Sequence, residues 1–396
     1  MGAQEHAQRT ALYEQALRLD PTSLLAMIGV ANSLILDLVN FGNTAGDGML
    51  RAGRLIAAAA AINPDHPEVL ASAAWLLRAQ DRYQESIAAY RHLVEMYPNY
   101  YSGYSQIGML LTWTGHAEEG IPIMLEALRR DPQNPSNKSR YDQLGYANLL
   151  IERNEEAIYW SRRALAAAPN IAPISRAQPY LRIAAAQARL ARLDEAHNAI
   201  VEADRAWPYD TVRTHWPDDY GNPINVAQLE SFQAALRLAG HRDHADEDAD
   251  FGVASDDSLP EDLGRPTPTS VPGATTIHTA QLQRLLTEHK PIIIDPMMYW
   301  WGRSLPGAIG LKRAGGGGSY SDATQDRLRR KMQALTNGDL ATPIVAIGFN
   351  SERFDGRNLA LRLVALGYTN VYWYRGGREA WEVNGLPEIT IEVQEW

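Results

Sequence analysis

The chain contains no cysteine in 396 residues. That absence removes disulfides, thiolate metal sites and cysteine nucleophiles together. Positive charge is also scarce: the formal net charge is −10. A nucleic-acid reader would need a basic stripe, and none is present. No apolar run approaches the roughly 18 residues of a membrane span. The opening MGAQEHAQRTALYEQAL lacks the basic-then-apolar layout of a secretory signal, and His6 stands where a myristoylation motif has Ser or Thr. A cytoplasmic protein is expected, with no membrane and no nucleic-acid partner.

A repeat is present instead. Short phrases end at Pro21, Pro64, Pro98, Pro132, Pro169 and Pro208, spaced 43, 34, 34, 37 and 39 residues apart. Proline cannot continue a helix, so it punctuates each unit. Other positions keep phase with it. Small residues recur 24 residues before a proline (Ala74, Gly108, Gly145, Ala184), twelve before (Ser86, Gly120, Ala157, Ala196) and five before (Ala127, Ala164, Ala203). Two helices can approach closely at such positions.

The two successive intervals of 34 match the period of tetratricopeptide repeats, and residues 5–240 resemble an array of them. Phrases such as GHAEEGIPIMLEALRRDPQNP and NEEAIYWSRRALAAAPN are similar to arrays that follow cyclase or winged-helix domains in bacterial signalling proteins. The resemblance implies an α-solenoid over 1–240 whose groove binds a protein or peptide partner. Tyr104, Trp113 and Tyr141, with Tyr100, Tyr101 and Tyr146, are candidates to line it. Packing between repeats is an equal reading for each aromatic taken singly.

Composition then changes. Between His241 and Asp262 nine acidic residues stand against one arginine, followed by a Pro-, Thr- and Ser-rich stretch. An extended or disordered linker is expected over 241–273. His241 and His244 among these carboxylates suggest a metal cluster, but a solvated charge run fits better, because a metal site needs a rigid frame. No metal and no cofactor are expected.

From 274 to 396 apolar runs at 291–295, 343–349 and 370–374 alternate with helical patterns, which argues for a mostly parallel α/β sheet. Three motifs sit on that frame: Asp295 after the first core run, Pro306-Gly307-Ala308, and a closing phrase with Gly376, Gly377, Ala380, Trp381, Gly385, Leu386 and Pro387. On these residues the region resembles a rhodanese domain. The resemblance implies sulfur transfer through a persulfide on a cysteine at the end of the central strand. Here that place falls at Gly348, Phe349 or Asn350, in the loop Gly348-Phe349-Asn350-Ser351-Glu352-Arg353-Phe354.

Without a thiolate the reading is a pseudo-enzyme with no catalytic residue. What remains is the loop itself, leading into a helix N-terminus that favours anions. Arg353, Arg357 and Arg303 would be its positive groups; solvated loop and cap residues are the alternative. Ser351 has no histidine near it in sequence to support hydrolysis. The run Gly315–Gly318 lacks the Lys-Ser/Thr of a phosphate loop and is expected to be a flexible connector. Tyr299, Trp300 and Trp301 suggest a pocket cover or docking surface.

The leading expectation is a non-catalytic adaptor in bacterial-type signalling. The alternatives are displaced chemistry in the cradle, either hydrolysis or phosphate handling, and regulation of a separate cyclase.

Overall fold

The computed structural model describes residues 3–37, 48–134, 137–168, 172–214, 223–297, 301–394 and 396. Pro169, Tyr299 and Trp300 lie outside them. Contacts divide the chain into two units. One holds everything up to Trp207 and the segment ending at Gly240. The other holds residues 208–214 and everything from His241 onward.

The first unit is helical throughout. Its helices are α1 (Ala3–Leu19), α2 (Leu24–Leu36), α3 (Gly48–Ile62), α4 (Pro67–Ala79), α5 (Tyr83–Met96) and α6 (Tyr101–Trp113). They continue as α7 (Ala117–Arg130), α8 (Asn137–Leu150), α9 (Asn154–Ala167), α10 (Pro173–Arg189), α11 (Leu193–Ala206) and α12 (Pro223–Leu238). The pairs α4/α5, α6/α7, α8/α9 and α10/α11 follow the repeat phase read from the prolines. Each pair turns on one left-handed residue: Asp81, Gly115, Glu152 or Ala191, with φ between +58° and +85°. The next residue closes a Schellman bond, with the Arg82, His116, Arg153 and Arg192 amides donating to Leu77, Leu111, Asn148 and Gln187 carbonyls.

The small-residue positions explain how tightly the pairs close. A Cβ on Gly108 would lie 2.4 Å from Met124 Cγ and 2.8 Å from the Gly120 carbonyl oxygen. A Cβ on Gly120 would meet the Gly108 carbonyl oxygen at 2.6 Å. One repeat earlier the same two positions are Ala74 and Ser86, and Ser86 Oγ donates to the Ala74 carbonyl at 2.7 Å. Larger residues would hold these backbones apart.

The second unit is a seven-stranded sheet with helices on both faces. Its strands are β1 (Thr275–Ile277), β2 (Ile292–Asp295), β3 (Trp301–Ser304), β4 (Ala308–Leu311), β5 (Ile344–Ala346), β6 (Val371–Tyr374) and β7 (Ile389–Gln394). The order is β1-β6-β5-β2-β4-β7-β3, parallel except for the β3–β7 pair. Side chains alternate between faces along each strand. Ile294, Ile344, Ala346, Val371 and Trp373 join α14 (Ala323–Thr336) and α15 (Asp355–Ala365) in one core. Ile293, Val345, Ile347 and Tyr374 join α13 (Thr279–Glu288) and α16 (Gly377–Val383) in the other.

Two expectations are corrected here. The stretch after Gly240 has no helix, and its only strand-like feature before β1 is an isolated bridge, Val271 with Ala274, yet it is no free linker: it packs within the second unit. Arginine–carbonyl contacts hold it, as described below. We call residues 241–271 the strap. The run Gly315–Gly318 is likewise packed. A Cβ on Gly315 would sit 1.9 Å from the Asp355 carbonyl oxygen, one on Gly317 would sit 2.4 Å from that of Pro260, and Arg362 binds the Gly316 and Gly317 carbonyls at 3.0 Å.

Candidate functional site

The cradle loop begins where β5 ends. Gly348 and Gly356 pinch its neck: a Cβ on Gly348 would lie 2.7 Å from the Gly356 nitrogen. Between them the chain bulges, and α15 starts at Asp355, whose carboxylate accepts from the Gly356 amide at 3.1 Å. The N-terminus of α16 donates inward, from Arg378 N to the Gly348 carbonyl and from Glu379 N to that of Phe349, both at 3.0 Å.

The loop side chains fill the space that an open cradle would leave free. Gly348, Asn350, Ser351 and Glu352 are buried, while Phe349 and Arg353 are half-buried. Asn350 donates its amide to Glu379 Oε2 at 3.0 Å and accepts from the Glu352 amide at 3.0 Å. Ser351 Oγ donates to the Asp246 carbonyl at 2.7 Å, and the Ser351 carbonyl accepts from the Thr267 amide at 3.0 Å and hydroxyl at 2.6 Å. Glu352 forms a two-point ion pair with Arg242. The Phe354 amide donates to the Leu263 carbonyl at 2.9 Å. Every one of these partners except Glu379 lies on the strap or on the loop itself.

The three arginines expected around an anion turn to different partners. Arg357 is fully buried and binds the Ser258 carbonyl at 2.9 Å, the Asp256 carbonyl at 2.6 Å and the Asp256 carboxylate at 2.8 Å. Arg303 on β3 pairs with Glu388 at 3.1 Å. Arg353 stands 3.9 Å from Asp355. The cradle as built is occupied by protein.

Sequence reasoning passed over the two residues that organise it. Arg375, buried ahead of the Gly376-Gly377 pair, binds the carbonyls of Glu247 (2.7 Å), Ala249 (2.7 Å), Pro268 (3.1 Å) and Thr267 (3.2 Å). Glu379 accepts from Thr211 Oγ1 at 2.8 Å, the Ala245 amide at 2.8 Å and Asn350. Burial pushes the Glu379 carboxyl above the usual carboxylate range, against those three donors. Asp295 is buried too, and its pKa is raised for the same reason. Oδ2 accepts from Ser304 Oγ at 2.7 Å and lies 3.5 Å from Arg378 Nε, while Oδ1 has no hydrogen-bond partner among the described residues. The one available signal was that Arg375 and Glu379 stand on either side of the Gly376-Gly377 pair.

Residues 278–384 match the family model of the rhodanese-like domain, and residues 67–100 match a tetratricopeptide repeat model. The chain joins a tetratricopeptide repeat to a rhodanese-like domain. No curated protein matches it. Solved structures similar to it include YrrB, a TPR protein with an unusual peptide-binding site (14% identity, 50% of this chain and 92% of that one, TM-score 0.38). PilW, a type IV pilus biogenesis factor, is similar at 21% identity over 52% and 88%, with TM-score 0.43. A thermophilic TPR protein of Thermus thermophilus is similar at 18% over 55% and 100%, with TM-score 0.35.

In the repeat unit the candidate groove aromatics are engaged in packing. Tyr104 donates to the Pro98 carbonyl at 3.2 Å and lies beneath Arg130 of α7 at 4.7 Å. Tyr141 stacks on Trp160 of α9 at 5.7 Å and carries Arg163 at 4.4 Å. Trp113 is half-buried, packs against the core and lies under Arg78 at 5.6 Å. Arginines stand out instead along the first helices. Arg78 reaches Gln106 (2.9 Å), Arg140 reaches Ser105 (2.5 Å), Arg182 pairs with Asp142, and Arg189 reaches the Leu149 carbonyl (2.7 Å) and Ser231 (3.0 Å). They bridge α4–α6, α6–α8, α8–α10, and α10 to both α8 and α12. Burial lowers the pKa of Arg78, Arg140 and Arg189. Beside the last bridge an open cleft of about 600 Å³ is lined by Leu150, Ile151, Glu152, Ile224, Gln228 and Ser231. Among the described residues no helix is long and apolar enough to cross a membrane.

Proposed function

We propose that the chain is a non-catalytic adaptor of bacterial-type signalling. Its repeat unit grips a protein partner, and its rhodanese-like domain serves as a docking module. The observation that carries this reading is the filled cradle. The loop that would present a persulfide contains no sulfur, and its side chains are committed to the strap and to Glu379. Sulfur transfer needs an exposed, polarisable thiolate, and neither the residue nor the opening is there. Ser351 supports no hydrolysis, because it is fully buried and its hydroxyl is spent on the Asp246 carbonyl.

For the repeat unit, support comes from the first-helix face. Arg78, Arg140 and Arg189 hydrogen-bond to neutral acceptors. A face of this kind suits a partner segment with carboxylates, which would supply charge-assisted bonds. Two measurements test the proposal. The purified protein is expected to transfer no sulfur from thiosulfate to cyanide above background; turnover abolished by changes in loop 348–354 would overturn the pseudo-enzyme reading. Immobilised full-length chain is expected to capture a partner from cells of its source. Arg78→Glu with Arg189→Glu should weaken that capture at least tenfold while circular dichroism stays unchanged, and equal capture would remove the partner role from this face.

A further inference from the structure

The strap is held in an unusual way. Of its residues from 241 to 271, the buried apolar ones are Ala245, Leu259, Pro268 and Val271, and most of the others are exposed or half-exposed. Its attachments are mainly polar and made to its backbone. Arg375 takes four strap carbonyls and Arg357 takes two, those of Asp256 and Ser258. Ser351 takes the Asp246 carbonyl, and the Leu263 carbonyl accepts from the Phe354 amide. A surface that reads carbonyls of an extended chain recognises polypeptide backbone, with little demand on side-chain identity.

Charge adds a second requirement. Arg357 and Arg375 are both buried, and the carboxylates acting on them belong to the strap and to Glu352. Asp256 acts on Arg357; Asp246, Asp248 and Asp250 act on Arg375 together with Glu352. Taking the strap away would strip two desolvated cations of most of their counter-charge. The site therefore fits an extended segment that is also acidic, as the strap is, with nine acidic residues between His241 and Asp262.

We propose that the degenerate cradle is a binding site for an extended acidic polypeptide, with the strap as its resident occupant in cis. The inference rests on reading the rhodanese-like domain as a docking module and names what docks there. Its few buried apolar residues, against the continuous apolar core under β2 and β5, mark the strap as a segment that opens below the cost of global unfolding. An acidic partner segment would then compete with it for the same carbonyl-reading arginines.

The test uses full-length protein and a fluorescent peptide of residues 242–268. The variant Asp256→Ala, Leu259→Ala, Thr267→Ala weakens the strap and leaves the cradle residues untouched. It is expected to bind the peptide at least tenfold more tightly than the wild type does. A peptide with every Asp and Glu replaced by Asn and Gln should bind at least tenfold more weakly. Equal binding by wild type and variant, or by the two peptides, overturns the proposal. Hydrogen exchange of the wild type gives a second reading that holds if the variant misfolds. Strap amides are expected to exchange at least tenfold faster than those of β2 and β5, and exchange in step with those strands overturns the proposal. Either failure leaves the adaptor reading standing, because that reading is tested on Arg78, Arg189 and sulfur transfer.

Discussion

The Glu379 carboxylate and the Asn350 side-chain amide meet at 3.0 Å, both buried. The contact ties the closing glycine phrase to the loop that would carry a persulfide. The other two donors to Glu379 come from Thr211 and Ala245, so three stretches distant in sequence converge on one group. Glu379→Ala would leave those donors buried without an acceptor. A loss of about 2–4 kcal/mol is expected, measured by denaturant unfolding. A loss below about 0.5 kcal/mol, the size of an ordinary surface substitution, would mean that the joint is not structural.

Asp295 predicts a pH dependence. Its pKa is raised by burial, so the folded state holds the proton more firmly than the unfolded chain. Its contribution to stability is complete below the unfolded pKa of about 4 and is lost as pH rises through the folded value. Asp295→Asn keeps an acceptor for Ser304 and removes the buried charge. It is expected to stabilise the protein at about pH 7.5 on the order of 1 kcal/mol, and the gain should shrink as pH falls toward about 4. Melting curves across that range check it; a gain that grows on acidification would reverse the sign.

Gly108 sets helix against helix. Alanine at this position gains about 1 kcal/mol of helix propensity. Its Cβ, however, would press on a backbone carbonyl at 2.8 Å as well as on Met124. Overpacking of that kind costs about 1–3 kcal/mol, and the carbonyl cannot step aside. Gly108→Ala should therefore lower the melting temperature. Gly53→Ala, whose nearest neighbour is Leu76 Cδ2 at 3.7 Å, should not.

The repeat turns offer the opposite test. Ala191 is exposed and left-handed at φ +58°. That conformation costs a residue with a Cβ about 1–2 kcal/mol, while glycine gives back roughly 0.4–1 kcal/mol through the unfolded chain. Ala191→Gly should be neutral to stabilising by up to about 1 kcal/mol, and Gly115→Ala destabilising by a similar amount. Paired thermal melts decide the sign.

Proteolysis distinguishes strap from linker. The stretch 254–258 is exposed, so proteases should cut there first. Arg375 grips both sides of the cut and Arg357 grips Asp256 and Ser258. The nicked protein is expected to elute as one species in native size exclusion. Separation into two folded fragments would restore the linker reading.

The repeat was legible in the sequence because its signals are local. A proline stops a helix wherever it stands, and small residues in phase mark close approach without knowledge of the partner. The helices of the rhodanese-like domain and the core strands β2, β5 and β6 were legible for the same reason. The strands β1, β3 and β4, of three or four residues, are too short to carry a readable period, and only pairing along the sheet defines them. β7 does alternate, with Ile389, Ile391 and Val393 against Thr390, Glu392 and Gln394, a signal that sequence reasoning passed over. The missing cysteine was a matter of counting. What occupies the cradle was not. By composition the strap reads as a solvated acidic linker, since nothing local shows that Arg357 and Arg375, about 100 residues or more further on, will bind its carbonyls. The sequence leaves Arg357 as either an anion-binding group or a solvated cap residue, and only the fold shows it buried and engaged with the strap. Backbone groups carry no sequence signature, so contacts made to them are decided by tertiary structure alone.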